Sequence, residues 1–168
     1  EKPSYNKSIV RETLYFPPHV FQANLSSGAE SNNMISQHNK AAEELFASPL
    51  HRYSDWPNNK VPNSSGVYAV WEEEELVWAG SAGGSLRSRF ARHVKGQRRG
   101  SKFLMAVYSS LLFRHMGLEK AMKAAGETQL LVDLITGKFV KQHLAYRYLA
   151  TQDELVAEQI VHLICSGE

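Results

Sequence analysis

The sequence predicts an α+β fold. We expect a small antiparallel or mixed three-stranded sheet flanked by helices, preceded by an N-terminal extension made of a strand-like arm and a helix. Three observations point there. Two short apolar stretches, Val67 to Trp71 and Glu75 to Ala79, read as strands on either side of a glutamate run, Glu72 to Glu75. A Gly/Ser-rich turn, Ser81 to Ser85, then opens a helical stretch. Near the other end, Ala145 to Ala150 alternates as a strand, and Thr151-Gln152-Asp153-Glu154 has the form of a capping box before an apolar run.

Bulk properties fit one domain of ordinary size. The chain has 168 residues, 43% hydrophobic and 21% charged, enough for a real core. It has no apolar run of about 18 residues, so no membrane span is expected. The N-terminal EKPSYNKS has no charged-then-apolar signal pattern. A single cysteine, Cys165, leaves no internal disulfide and suits a reducing, intracellular compartment.

Residues 1–60 read as the extension. Arg11 to Phe21 is strand-like but broken by Pro17-Pro18, hence an edge strand or extended arm. Ala29 to Ala47 carries Met34, His38, Ala41 and Leu45 on one stripe and reads as a helix, ended by Ser48-Pro49. Asp55 to Asn59 and Pro62 to Ser65 are loops. Residues 61–168 form the second region. After the hairpin, whose glutamate tip is expected to be solvated turn, Ser85 to Val94 reads as a helix with Ser85 as N-cap. Gln97 to Ser101 is a basic loop. Phe103 to Arg114 is apolar at both periods and is taken as helix. Leu118 to Ala125 is helical and stopped by Gly126. Gln129 to Ile135 fits a strand or a buried helix start, and Phe139 to His143 fits either state. The final helix runs to about Ile164.

Charge distribution says more than the net charge of +2. No Asp or Glu occurs between Leu76 and Leu118, whereas Arg87, Arg89, Arg92, Lys95, Arg98, Arg99, Lys102 and Arg114 do. An acid-free basic block beside Gly/Ser turns is the footprint of a phosphate-backbone binder.

The stretch SGVYAVWEEEELVWAGSAGGSLRSRFARH, Ser65 to His93, resembles the core of the GIY-YIG nucleases. The first tripeptide stands as Gly66-Val67-Tyr68 and the second as Trp78-Ala79-Gly80, with Trp78 where tyrosine is usual. Arg89 follows Gly80 by nine residues and His93 comes one helical turn later. The resemblance covers about residues 61–168. It implies a metal-dependent DNA endonuclease using one Mg²⁺ or Mn²⁺ per site. Arg89 would clamp the scissile phosphate, because a guanidinium fork matches two phosphoryl oxygens and keeps its charge. Arg87 is the register alternative. His93, four residues on, would take a proton from water or orient a tyrosine hydroxyl. Tyr68 would be the general base. A free phenol titrates near 10, so that role needs its pKa lowered by about 3 units, roughly 4 kcal/mol. Trp78 would stand in the catalytic group without replacing a hydroxyl, since an indole N–H donates and never accepts. Glu158, on the closing helix, would be the metal ligand, with Glu154 as the competing choice. Arg87, Arg92, Lys95, Arg98, Arg99 and Lys102 would hold the backbone of double-stranded DNA, and a homodimer would let both strands be cut. The asparagine the family carries beyond that helix has no counterpart in Ser166-Gly167-Glu168. Two alternatives remain open: a nucleic-acid-binding module that kept the fold and lost catalysis, and an RNA-cleaving nuclease.

Overall fold

The computed structural model describes residues 28–117 and 129–166. The expected arm at Arg11–Phe21 and the expected helix at Leu118–Ala125 lie outside them. The elements run α1 (Gly28–Ala47), β1 (His51–Arg52), a 3-10 turn (Tyr53–Asp55), β2 (Gly66–Glu72), β3 (Glu75–Ala82) and α2 (Leu86–Lys95). Then come α3 (Lys102–Ala106), a π segment (Val107–Leu112), α4 (Phe113–Met116), α5 (Gln129–His143), β4 (Leu144–Ala150) and α6 (Glu154–Ser166).

The fold is α+β, as expected, but the sheet has four strands rather than three. Their order is β1-β4-β2-β3, and every pair is antiparallel. The extra strand, β1, is two residues long, too short for any alternation to announce it.

β2 lies between β4 and β3, and both of its faces are covered. Val67, Ala69 and Trp71 pack with Ala42 and Leu45 of α1 and with Ala157, Ile160 and Val161 of α6. Tyr68 and Val70 pack with Phe90 of α2, Phe103 and Leu104 of α3, Phe139 and Val140 of α5, and Leu144 and Tyr146 of β4. A strand buried on both faces reads as a continuous apolar run, as Gly66 to Trp71 does. The helix of the expected extension therefore closes one of the two core layers. Arg147 on β4 holds it there, donating to the carbonyls of Phe46 and Ser48 at its C-terminus and lying over the Trp71 ring.

The β2–β3 register places Gly66 opposite Ala82 and Tyr68 opposite Gly80, with a register shift between Val70 and Trp71. The hairpin turns at Glu73, whose φ of 53° is in the left-handed region. Glu72 corrects the expectation of a wholly solvated tip: its carboxylate meets His115 Nε2 at 2.9 Å and Arg114 at 3.6 Å.

Gln129–His143 is one helix, which settles both ambiguous stretches. It crosses α2 closely, for a Cβ on Gly137 would stand 2.7 Å from the Val94 carbonyl oxygen. Phe103–Arg114 is helical, with a π segment at Val107–Leu112. The start of α6 is capped by Asp153, whose Oδ1 accepts from Val156 N–H at 2.9 Å. The expected cap, Thr151, instead donates through Oγ1 to the Asp153 carbonyl at 2.8 Å.

Gly66 shows how tight the sheet is against its cover. A Cβ there would lie 2.5 Å from both the Leu149 carbonyl oxygen and Leu86 Cδ1. Gly66→Ala is expected to destabilise the fold by about 1–3 kcal/mol, the usual cost of overpacking, read as a lower urea midpoint with an unchanged slope. An unchanged midpoint would mean that β4 and α2 can give way.

Candidate active site

The site gathers where β3 ends and α2 begins. Ser85 caps α2 as expected: its Oγ accepts from Ser88 N–H and donates to Asn63 Oδ1 at 2.5 Å. The helix ends at Gly96, in the left-handed conformation with φ 66°. Along it, the arginines divide by task. Arg87 donates from Nε and Nη2 to the Val61 carbonyl, at 3.1 and 2.8 Å, and from Nη2 to the Asn59 carbonyl at 2.9 Å. Its guanidinium is thereby committed to the 59–61 loop. Arg98 is similarly engaged: Nε meets Asp133 Oδ1 at 2.7 Å and the guanidinium lies over the Tyr108 ring. Each thus spends part of its guanidinium inside the fold, Arg87 through Nε and Nη2 and Arg98 through Nε.

Arg89 and Arg92 behave differently. Together with Ala82, Gly83, Gly84, Ser85 and Ser88 they line an open depression at the N-terminal end of α2. Arg92 Nη2 also donates to the Arg99 carbonyl at 2.9 Å. The Arg89 side chain makes no hydrogen bond or ion pair with another described residue, which leaves its fork able to meet an anion. Lys95, Arg99 and Lys102 are exposed on the same basic segment.

Tyr68 is only 3% exposed, its ring edge-on to Phe90 and at 5.4 Å from His93. The expectation of a lowered pKa fails. Burial pushes the phenol up to about 12, against the opposing pull of Arg89, then of the Trp78 indole N–H, then of Arg92. Trp78 packs on Phe103 at 5.6 Å. Its Nε1 is buried with no acceptor in hydrogen-bonding geometry, yet it stands close enough to the Tyr68 hydroxyl to favour the phenolate. Gly80 explains the approach: a Cβ there would be 2.8 Å from both Trp78 Nε1 and Tyr68 Oη.

His93 is fully buried and does not meet water in this structure. Its Nδ1 is 2.7 Å from the hydroxyl of Tyr53, itself fully buried. Burial, then Arg89, then Arg92 hold the imidazole well below its usual pKa, so it is neutral at physiological pH. Sequence reasoning missed Tyr53. It lies 40 residues away in a 3-10 turn, and no local pattern marks it.

Both acidic candidates are exposed on α6, one turn apart. Glu154, in the first turn of α6, lays its carboxylate directly on Gly83, where it fills the space a Cβ would take. Gly83 lines the depression, so this carboxylate stands at its rim. Glu158 is exposed one turn further on. Among the described residues no three His, Cys, Asp or Glu side chains gather as a metal cluster. Either could offer one carboxylate to a cation otherwise held by water, a ligand set that suits Mg²⁺, and Glu154 is the one that touches a residue lining the depression.

No family model, no curated protein and no solved structure matches this chain.

The buried neutral His93 has a consequence for stability. Its folded pKa lies below the unfolded value near 6.5, so the unfolded chain takes up the proton first. Its contribution is whole above about pH 6.5 and declines as pH falls toward the folded value. We expect unfolding free energy to drop by up to about 1.4 kcal/mol per pH unit below pH 6.5, measured by urea denaturation between pH 5 and 7.5, and the slope to flatten in His93→Gln. Equal slopes in both proteins would place the titration elsewhere.

Proposed function

We propose that this protein is a metal-dependent nuclease that hydrolyses DNA phosphodiester bonds through a GIY-YIG-type site. The observation that carries the reading is the depression at the start of α2. Arg89, Arg92, Ser85 and Ser88 line one space together with Gly83, on which the Glu154 carboxylate rests, and Arg89 acts electrostatically on the buried Tyr68.

Arg89 binds two phosphoryl oxygens and stabilises the charge that builds on them during attack. Arg92 adds a second positive charge from the next helical turn. Lys95, Arg99 and Lys102 hold the flanking backbone by charge, so binding weakens with salt. Glu154 would hold a divalent cation, which supplies Lewis-acid stabilisation of the leaving oxygen. Tyr68 accepts the proton of the attacking water, which requires its hydroxyl to be ionised. At a pKa of about 12 that form is scarce at neutral pH, so the rate follows the phenolate fraction. Cutting both strands needs a homodimer or two successive nicks.

The burial of Tyr68 and the presence of Trp78 favour one other reading, a nucleic-acid-binding module with little catalysis. Supercoiled plasmid separates the two. We expect Mg²⁺-dependent nicking or linearisation, slowed about 10²–10³-fold in Arg89→Ala. Glu154→Ala should be more damaging than Glu158→Ala. Salt-sensitive gel shifts without cleavage by the wild type would leave the binding module standing.

The pH profile tests Tyr68 separately. Between pH 7 and 9.5, well below its pKa, the cleavage rate should rise about tenfold per pH unit, and Tyr68→Phe should abolish it. A level profile would remove Tyr68 from the proton-accepting role.

A further inference from the structure

Among the described residues, four buried side-chain nitrogen or oxygen atoms have no hydrogen-bond partner: Glu75 Oε1, Trp78 Nε1, His93 Nε2 and Arg147 Nε. Leaving such an atom unpaired costs about 1–3 kcal/mol. Two of the four belong to side chains packed around the same residue, Tyr68. That coincidence has a chemical reading.

The protonation of His93 follows from Tyr53. The Tyr53 hydroxyl is fully buried, and His93 Nδ1, at 2.7 Å, is its hydrogen-bond partner. Were it to accept a proton from Nδ1, its own proton would have no acceptor in the core. It therefore donates, Nδ1 accepts, and the neutral ring carries its proton on Nε2. This nitrogen is then a donor with nothing to donate to. Trp78 Nε1 can only donate.

We propose that Trp78 is a positioning residue that holds a buried N–H donor beside the Tyr68 hydroxyl, ready for its phenolate, while Tyr53 fixes the His93 ring packed on the same phenol. The phenol makes no use of that donor. An oxyanion at the same place would. Phe103 braces both donor rings, lying 5.6 Å from Trp78 and 4.3 Å from His93. Gly80 leaves room for the indole N–H and the Tyr68 hydroxyl to approach. The charged and titratable groups facing Tyr68 are Arg89 and Arg92 of α2, His93, and Tyr53 of the 3-10 turn. Both cations act in the same sense as the indole donor. Tryptophan at position 78 is thus a gain for the anionic state of Tyr68, where a second hydroxyl would bring a titrating group. The catalytic importance of the pocket rests on the nuclease reading; the pocket itself does not.

The test places 3,5-difluorotyrosine at position 68, whose lower intrinsic pKa brings the titration to a pH at which the fold persists, and follows it by ¹⁹F NMR. Replacing Trp78 with benzothienylalanine keeps the ring shape and removes only the N–H. This should raise the position-68 pKa by about one unit, since loss of a donor to the anion disfavours it. Tyr53→Phe should turn the single Nε2–H tautomer of His93, read from its ¹⁵N shifts, into a mixture. In the native-tyrosine background the benzothienyl change should lower kcat about tenfold, with KM little changed. An unchanged position-68 pKa in a folded benzothienyl variant would overturn the proposal, whatever happens to activity. A shifted pKa with no cleavage by the wild type would uphold the donor pocket and sink the nuclease reading instead.

Discussion

The arrangement depends on burying β2 from both sides. Six consecutive residues, Gly66 to Trp71, are enclosed between helices and neighbouring strands. That enclosure demands small residues where backbone or a ring must come close. Gly66 has no room for a Cβ beneath Leu149 and Leu86, and Gly80, opposite Tyr68, has none beside the phenol and the indole. The glycine–aromatic tripeptides thus follow from packing, independently of any chemistry. The same enclosure strips water from Tyr68 and raises its pKa, so the architecture and the electrostatics of the site have one origin.

Two opposed influences meet at the start of α2. Low-dielectric surroundings keep Tyr68 protonated and His93 neutral, while two arginines on the adjoining helix favour negative charge at the first and oppose positive charge at the second. A protonated His93 is disfavoured by burial and by both arginines. The imidazole is therefore a fixed dipole at rest, aimed by Tyr53, and the phenol is the group beside it whose charge can vary.

Much of the framework was legible because its signals are local. The hairpin, the Ser85 cap, the helix behind it and the strand at Leu144–Ala150 each follow from alternation, capping or turn chemistry within a few residues. What escaped was set at a distance. β1 is defined only by its pairing with Tyr146 and Ala145. Gln129–His143 is apolar enough for either state, and its contact with α2 decides. Arg87 and Arg98 read as free basic residues until their carbonyl and carboxylate partners, 26 to 35 residues away, are known. The contact that distinguishes Glu154 from Glu158 is with Gly83, far earlier in the chain. Tyr53, the partner of His93, has no sequence signature at all.

Arg87 has a mechanical meaning. It fastens α2 to the 59–61 loop through two carbonyls, while Ser85 grips Asn63 from the same end of the helix. Tyr53 and His93 add a third tie across the interior. The helix that presents Arg89 is consequently a fixed jaw. A load on that arginine would pass into loop and core rather than into rotation of the helix. The Glu154 carboxylate, by contrast, stands at the start of α6 and rests on Gly83, so any give at this place falls to that side.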